Sequence, residues 1–293
     1  MKSLKIAVTA YFFFLLPVLY GQKSTTTQGK LFIIGGGDRP PSLMQKMMDA
    51  ASLKKEDYVV VLPMSGENPD TSFYYFKADL QSVCTNSIVN LNFTKANVNN
   101  TSRLDSLRKA RLIFITGGDQ DRFMSVVVNT PVYDAIHFAY HNGSTIAGTS
   151  AGAAVMSRHM ITGNQLTDTV YRSTFPKVVD QNIEIKTGLG LLTNCIIDQH
   201  FIVRSRYNRL LSALAKFPAL AGIGVDEATA IVVNGNTITV AGSGQVVVMR
   251  NPQQIQITSK GLIKLKGLEF SIYTEGDQFS ITPVKRQEGI PEQ

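Results

Sequence analysis

Ser144-Thr-Ile-Ala-Gly-Thr-Ser150-Ala-Gly-Ala-Ala-Val-Met-Ser157 passes from a short apolar strand, through Gly148-Thr149-Ser150-Ala151-Gly152, into a helix-forming run. A serine squeezed between a strand and a helix needs small neighbours, because the turn is strained and the flanking backbones approach closely. Gly148, Ala151, Gly152 and Ala153 supply them. This is the layout of a nucleophile elbow, which sets the hydroxyl at the carboxyl edge of a sheet above a helix N-terminus that favours negative charge. An ordinary glycine-rich turn would read the same way, so the partners of Ser150 decide its role.

Outward from this stretch, short continuous apolar runs alternate with helical ones: Leu31–Ile34, Val59–Leu62, Ile88–Leu91, Leu112–Thr116, Thr145–Ala147, Cys195–Ile197 and Ile223–Val225. Strands buried on both faces read so in a mainly parallel, doubly wound α/β sheet. Function is then expected at the strand carboxyl ends. Several ends carry polar or glycine-rich punctuation, including Gly35-Gly-Gly-Asp38, Thr116-Gly-Gly-Asp-Gln120, Asp198-Gln-His200 and Asp226-Glu227. The triple glycine lacks dinucleotide spacing and runs into Pro40-Pro41, so no cofactor is expected there. From Ala230 the texture changes to alternating β sequence around Asn234-Gly235, which predicts a small antiparallel β extension at the C-terminus.

The chain has 293 residues, 44% of them hydrophobic, enough for one large domain. Residues 1–22 are set aside as a secretory signal peptide, since Lys2 and Lys5 precede an apolar run too short to span a bilayer comfortably. The expected division is a leader at 1–22, an α/β domain at 28–250, and a C-terminal β extension and tail at 251–293. The protein is expected to be secreted or periplasmic, with no membrane association once the leader is removed. The formal charge of +7 is spread along the chain, without the clustered basic and aromatic runs of a nucleic-acid groove. Cys84 and Cys195 sit in or beside apolar segments and read as buried free thiols, and no Cys/His cluster suggests a metal.

A serine hydroxyl needs a base, and the chain offers four histidines. His137 and His141 lie on the helix leading into the elbow strand, at the opposite end of the sheet. His159 is expected nine residues along the helix after Ser150, roughly 13 Å away. His200 directly follows a buried strand and stands on the same edge as Ser150. The acceptor for its other nitrogen is Glu227 or its neighbour Asp226; the pattern favours Glu227 and leaves the two in competition. Ala151 and Gly118 are the expected donors of an oxyanion hole. Arg204, Arg206 and Arg209 form an expected cationic wall suited to carboxylates, since none has an acidic partner in the adjacent turn of sequence.

Thr116-Gly-Gly-Asp-Gln120, Gly148-Thr-Ser-Ala-Gly-Ala153, Asp198-Gln-His-Phe201 with the three arginines, and Gly224-Val-Asp-Glu227-Ala-Thr-Ala230 together resemble peptidase family S51, and within it the cyanophycinases. The resemblance runs from about Lys30 to Met249. It implies a class I glutamine-amidotransferase-like fold and a Ser150, His200, Glu227 triad. It also implies a pocket of Gln120, Asp198, Gln199, Arg204, Arg206 and Arg209, hydrolysis of cyanophycin to β-Asp-Arg dipeptides, and pairing as a homodimer. An aspartyl or isoaspartyl dipeptidase would use the same triad on an aspartyl-peptide substrate. A glutaminase would carry cysteine at the elbow, and a binding protein that had lost catalysis would be expected to lack a triad member. The leader and the stretch after about residue 250 depart from the family pattern.

Overall fold

The computed structural model describes residues 29–167 and 170–281. The leader assigned to residues 1–22 lies outside them, as does the tail from residue 282.

The first half alternates β1 (Lys30–Ile34), α1 (Pro41–Ala51), β2 (Tyr58–Leu62), α2 (Pro69–Gln81), β3 (Ser87–Asn90), α3 (Thr101–Lys109), β4 (Leu112–Ile115), α4 (Gln120–Val127), α5 (Pro131–His141) and β5 (Thr145–Thr149). Its strands pair in parallel in the order β3-β2-β4-β5-β1. Side chains alternate across a strand, so each apolar run supplies two faces. Leu31, Ile33, Val60, Leu62, Ile113 and Ile115 pack on one face with Val132, Ala135, Ile136 and Ala139 of α5. Phe32, Ile34, Val59, Val61 and Phe114 pack on the other with Leu43, Met44, Met47 and Met48 of α1. The side chains of Asn68, Asn100 and Asp119 cap α2, α3 and α4 by accepting from N–H groups of the first turn, which fixes where each helix starts.

The second half adds α6 (Ala151–Ala154), β6 (His159–Gln165), β7 (Ile183–Thr187), β8 (Cys195–Gln199), α7 (Tyr207–Lys216), β9 (Ala221–Val225), β10 (Thr229–Asn234), β11 (Thr237–Gly242), β12 (Val246–Arg250), β13 (Gln254–Ile257), β14 (Ile263–Lys266), β15 (Glu269–Tyr273) and β16 (Gln278–Ser280). Here the structure corrects two expectations. First, β8 and β9 are parallel to one another but belong to a separate four-stranded sheet, ordered β15-β12-β9-β8. The free edge of β1 is taken by β10, antiparallel, from Lys30↔Asn234 to Ile34↔Ala230, so no edge of β1 remains for them.

Second, the helix after Ser150 lasts one turn, and His159 opens a strand instead of riding nine residues along a helix. The carbonyls of Val155 and Met156, which a longer helix would use internally, accept instead from the N–H groups of Leu189 and Leu192. The β10–β11 hairpin turns at Asn234-Gly235, where Gly235 has φ +58. Beyond residue 250 the chain is antiparallel but does not stand apart, since β15 pairs with β12 and β16 with β11. Cys84 and Cys195 are both buried and unbonded. Burial pushes the Cys195 thiol up to about 12, so it stays protonated.

Candidate active site

Ser150 sits between β5 and α6 with φ 52 and ψ −107, a conformation costly for any residue with a Cβ. Two close approaches hold it there. A Cβ on Gly148 would stand 2.4 Å from the Gly152 carbonyl oxygen, and one on Gly152 would stand 2.2 Å from that of Ile115. The Ser150 N–H donates to the Ile34 carbonyl at 3.1 Å, tying the turn to the end of β1.

His200 follows β8, also at positive φ (47), and its N–H donates to the Gly35 carbonyl at 2.7 Å. Its Nδ1–H donates to Glu227 Oε1 at 2.5 Å, a carboxylate acceptor that fixes the tautomer. Nε2 is thereby left to accept from the Ser150 hydroxyl at 2.9 Å. Asp226 is occupied elsewhere: its Oδ1 accepts from the N–H groups of Ile202 and Val203, each at 3.1 Å, and so caps the turn after His200. β9 ends at Val225 and Glu227 lies in the turn that leads into β10, which sends the two acids to different partners. Burial holds the His200 imidazole below its usual pKa; the hydrogen bond to Glu227 opposes this, and Arg204 and Arg206 add to it.

The triple glycine after β1 is the part of this arrangement that sequence reasoning missed. A Cβ on Gly36 would lie 2.3 Å from His200 Cε1, and one on Gly37 would lie 2.7 Å from Glu227 Cβ. Both have positive φ, 114 and 70. The glycines form the floor on which the imidazole and the carboxylate lie. The available signal was three glycines at the carboxyl end of the first strand, where a cofactor was excluded and no other demand for close approach was considered.

Ser150 opens into a cavity of about 300 Å³ whose walls include Gly118, Gln120, Gln199 and the three arginines. The wall is not the row of solvated, unneutralised guanidinium groups expected from sequence. Arg206 and Arg209 are 2% and 1% exposed, and only Arg204 is solvated. Residues 206 and 209 are one helical turn apart at the start of α7 and share its buried face. Arg209 forks onto Asp198, with Nε donating to Oδ2 at 2.7 Å and Nη2 to Oδ1. Asp198 is therefore committed behind the wall and does not line the cavity, contrary to its expected place in the pocket. Arg206 Nη1 donates to the carbonyl and Oε1 of Gln199 at 2.7 and 2.5 Å. Burial, with Arg209 beside it, lowers the Arg206 guanidinium to about 10, which leaves it cationic at neutral pH.

Gln120 is held to β6 by Nε2 donating to the carbonyls of Ile161 and Thr162. Gly118 has φ +135 and lies so close to Ser65 that a Cβ would meet its carbonyl oxygen at 2.2 Å. Its N–H and that of Ala151, the first residue of α6, belong to the backbone on either side of Ser150. The other histidines are engaged elsewhere: His137 Nε2 bonds the Leu189 carbonyl, His141 lies beside His137 and Tyr140, and His159 stacks on Phe217. Among the described residues no group of three or more His, Cys, Asp or Glu side chains converges as a metal site would require.

Two kinds of similarity bear on this geometry. The cyanophycinase of Trichormus variabilis is 38% identical over 184 residues, covering 60% of this chain and 59% of that protein. The cyanophycinase of Geminocystis herdmanii is 35% identical over 194 residues, covering 64% and 68%. The chain thus spans about three fifths of the length of the first of these relatives. A peptidase from an acI-B1 actinobacterium superposes with a TM-score of 0.63 at 19% identity, over 87% of this chain and 98% of the other. A putative peptidase E protein of Listeria monocytogenes does so at 0.52 and 16%, over 74% and 99%. Both share the mixed α/β layout around a mostly parallel central sheet, in keeping with a class I glutamine-amidotransferase-like fold. The profile of peptidase family S51 matches residues 31–241, a span that contains Ser150, His200 and Glu227, and the chain belongs to that family of serine-type peptidases.

Proposed function

We propose that the protein is a serine peptidase that hydrolyses cyanophycin, an aspartate backbone with arginine on each β-carboxyl, to β-Asp-Arg dipeptides. The observation that carries this reading is His200 bridging Ser150 and Glu227 at 2.9 and 2.5 Å. Ser150 Oγ attacks the scissile carbonyl while its proton passes to His200 Nε2, and Glu227 stabilises the imidazolium. The N–H groups of Gly118 and Ala151 receive the oxyanion. His200 then gives the proton to the leaving amine, and water, deprotonated by the same imidazole, releases the acyl group.

The substrate is argued from the cavity and from the names of the relatives. Its cationic Arg204 and Arg206 suit a carboxylate, while the carboxylates of Asp119, which also caps α4, and Asp121, which also holds Lys186, suit a guanidinium, the two charges of each cyanophycin unit. Asp198, bound to Arg209, acts by holding the wall. The leader at residues 1–22 would carry the enzyme to polymer outside the cytoplasm, and pairing as a homodimer rests on the family resemblance. Mass spectrometry of products from cyanophycin and from a panel of α- and β-aspartyl peptides tests the reading. β-Asp-Arg from the polymer supports it, and cleavage confined to short aspartyl peptides replaces it with a dipeptidase.

A pH dependence follows from His200. The base must be neutral to accept the serine proton, and burial lowers its pKa. Activity should therefore be lost on acidification with a midpoint below 6.5, the ordinary histidine value. A profile of kcat/KM against pH checks this, and an acid limb centred above that value would contradict it.

A further inference from the structure

A second cavity, of about 170 Å³, lies on the other flank of the elbow, lined by Arg39, Tyr75, Thr116, Gly117 and Thr149 among others. Gly117 separates it from Ser150; a Cβ there would stand 3.5 Å from Ser150 Cβ. β4 and β5 are parallel neighbours with Ile115 opposite Gly148, so one further step of register sets Thr116 beside Thr149. Both threonines are 4% exposed, and the Oγ1 of each is buried without a hydrogen-bond partner. An unsatisfied buried hydroxyl is costly, and valine would fill either position with the same shape. Two adjacent unsatisfied hydroxyls buried in the wall of one cavity therefore call for an acceptor that the described protein residues do not supply.

Arg39 gives that acceptor a sign. Its Nε and Nη2 both donate to Asp79 Oδ2, at 2.9 and 2.6 Å, while its Nη1 makes no hydrogen bond among the described residues. Two hydroxyl donors and a guanidinium edge form a receptor for a carboxylate. At the mouth, Tyr75 pairs edge to face with Tyr74, and both rings are more than half exposed.

We propose that this cavity is a binding subsite for a free carboxylate of a peptide substrate, on the side of the scissile bond opposite the arginine-lined cavity, with Thr116, Thr149 and Arg39 holding that carboxylate. The placement relative to the bond rests on reading Ser150 as the acylated residue, whereas the carboxylate site itself does not.

The test uses fluorescein-labelled deca-L-aspartate as the probe, its binding followed by anisotropy on the full-length Ser150→Ala protein. Adding Thr116→Val, which removes a hydroxyl without changing shape or charge, should raise Kd roughly tenfold, the cost of losing a hydrogen bond to a charged group. Arg39→Gln should do at least as much, and its partly exposed position keeps the test meaningful if the threonine variant folds poorly. Arg108→Gln, a surface arginine paired with Asp105, removes the same charge as a control and should leave Kd unchanged. Kd unchanged by Thr116→Val and Arg39→Gln, absence of binding, or an equal rise in the Arg108 control would each overturn the subsite. Hydrolysis is read separately: probe binding lost in these variants supports the subsite even if cyanophycin is not cleaved, and cleavage with unaltered Kd values overturns it while the substrate assignment stands.

Discussion

Ser150→Ala should lower kcat/KM by about four orders of magnitude or more, with little change in thermal stability. The hydroxyl is the atom that His200 Nε2 faces at 2.9 Å, and without it the imidazole has nothing to activate except water, held in a geometry built for a side chain. What survives is whatever the Gly118 and Ala151 N–H groups and the cavity contribute by binding alone. A fluorophosphonate should label wild type at Ser150 and leave the variant untouched, with the site read by peptide mass mapping. Full activity in the alanine variant would sink the triad outright. The fold is expected to hold because alanine adds no strain beyond the Cβ that Ser150 already carries at this backbone position, and the Ser150 side chain forms no cap for α6.

The second large effect concerns stability. Asp198 and Arg209 have side chains 0% and 2% exposed, joined by two hydrogen bonds, so removing either leaves a full charge in a site that cannot solvate it. Asp198→Leu and Arg209→Met should each cost about 3–5 kcal/mol, while the double variant should cost far less than the sum of the two. Denaturant unfolding of the four proteins gives the coupling directly. Additive losses would mean that the pair is not the unit the geometry indicates. A cationic wall facing solvent would have predicted the reverse, with arginine variants harming kinetics and sparing the fold.

That reversal shows where the sequence stops being readable. The inner parallel strands were legible because both faces of each are buried, and a run such as Tyr58–Leu62 carries no polar interruption, whereas the edge strand Ser87–Asn90 is only half-buried. The elbow was legible because close approach leaves small residues as its mark. His200 was reached by elimination, though the removal of His159 relied on a helix that ends after one turn. Pattern favoured Glu227 over Asp226 without deciding between them, since their difference is one of direction and depends on where β9 turns into β10. The partners of the arginines were out of reach for another reason: Asp198 and Arg209 are eleven residues apart on a strand and a helix, and only packing brings them together. In the same way, an apolar run announces that it is a strand without naming its neighbour, which is why β8 and β9 were placed in the wrong sheet.

Two of the short strands that follow residue 250, β15 and β16, have a consequence for the solubility of the molecule. β16 covers the outer edge of β11 from Thr237 to Thr239, and β15 covers β12 along Val246–Arg250. Stripped of them, each sheet would present a row of unpaired main-chain donors and acceptors beside valine-rich sequence, a template onto which another chain could add. With them in place, the border of the second sheet passes to a strand that carries Glu269, engaged by Arg250 and Asn251. The residues that would perform hydrolysis lie between Gly118 and Glu227, whereas the outer edges of β11 and β12 are covered by Glu269–Ser280. A chain ended at Arg250 would keep every proposed catalytic group and lose its guard against sticking to copies of itself.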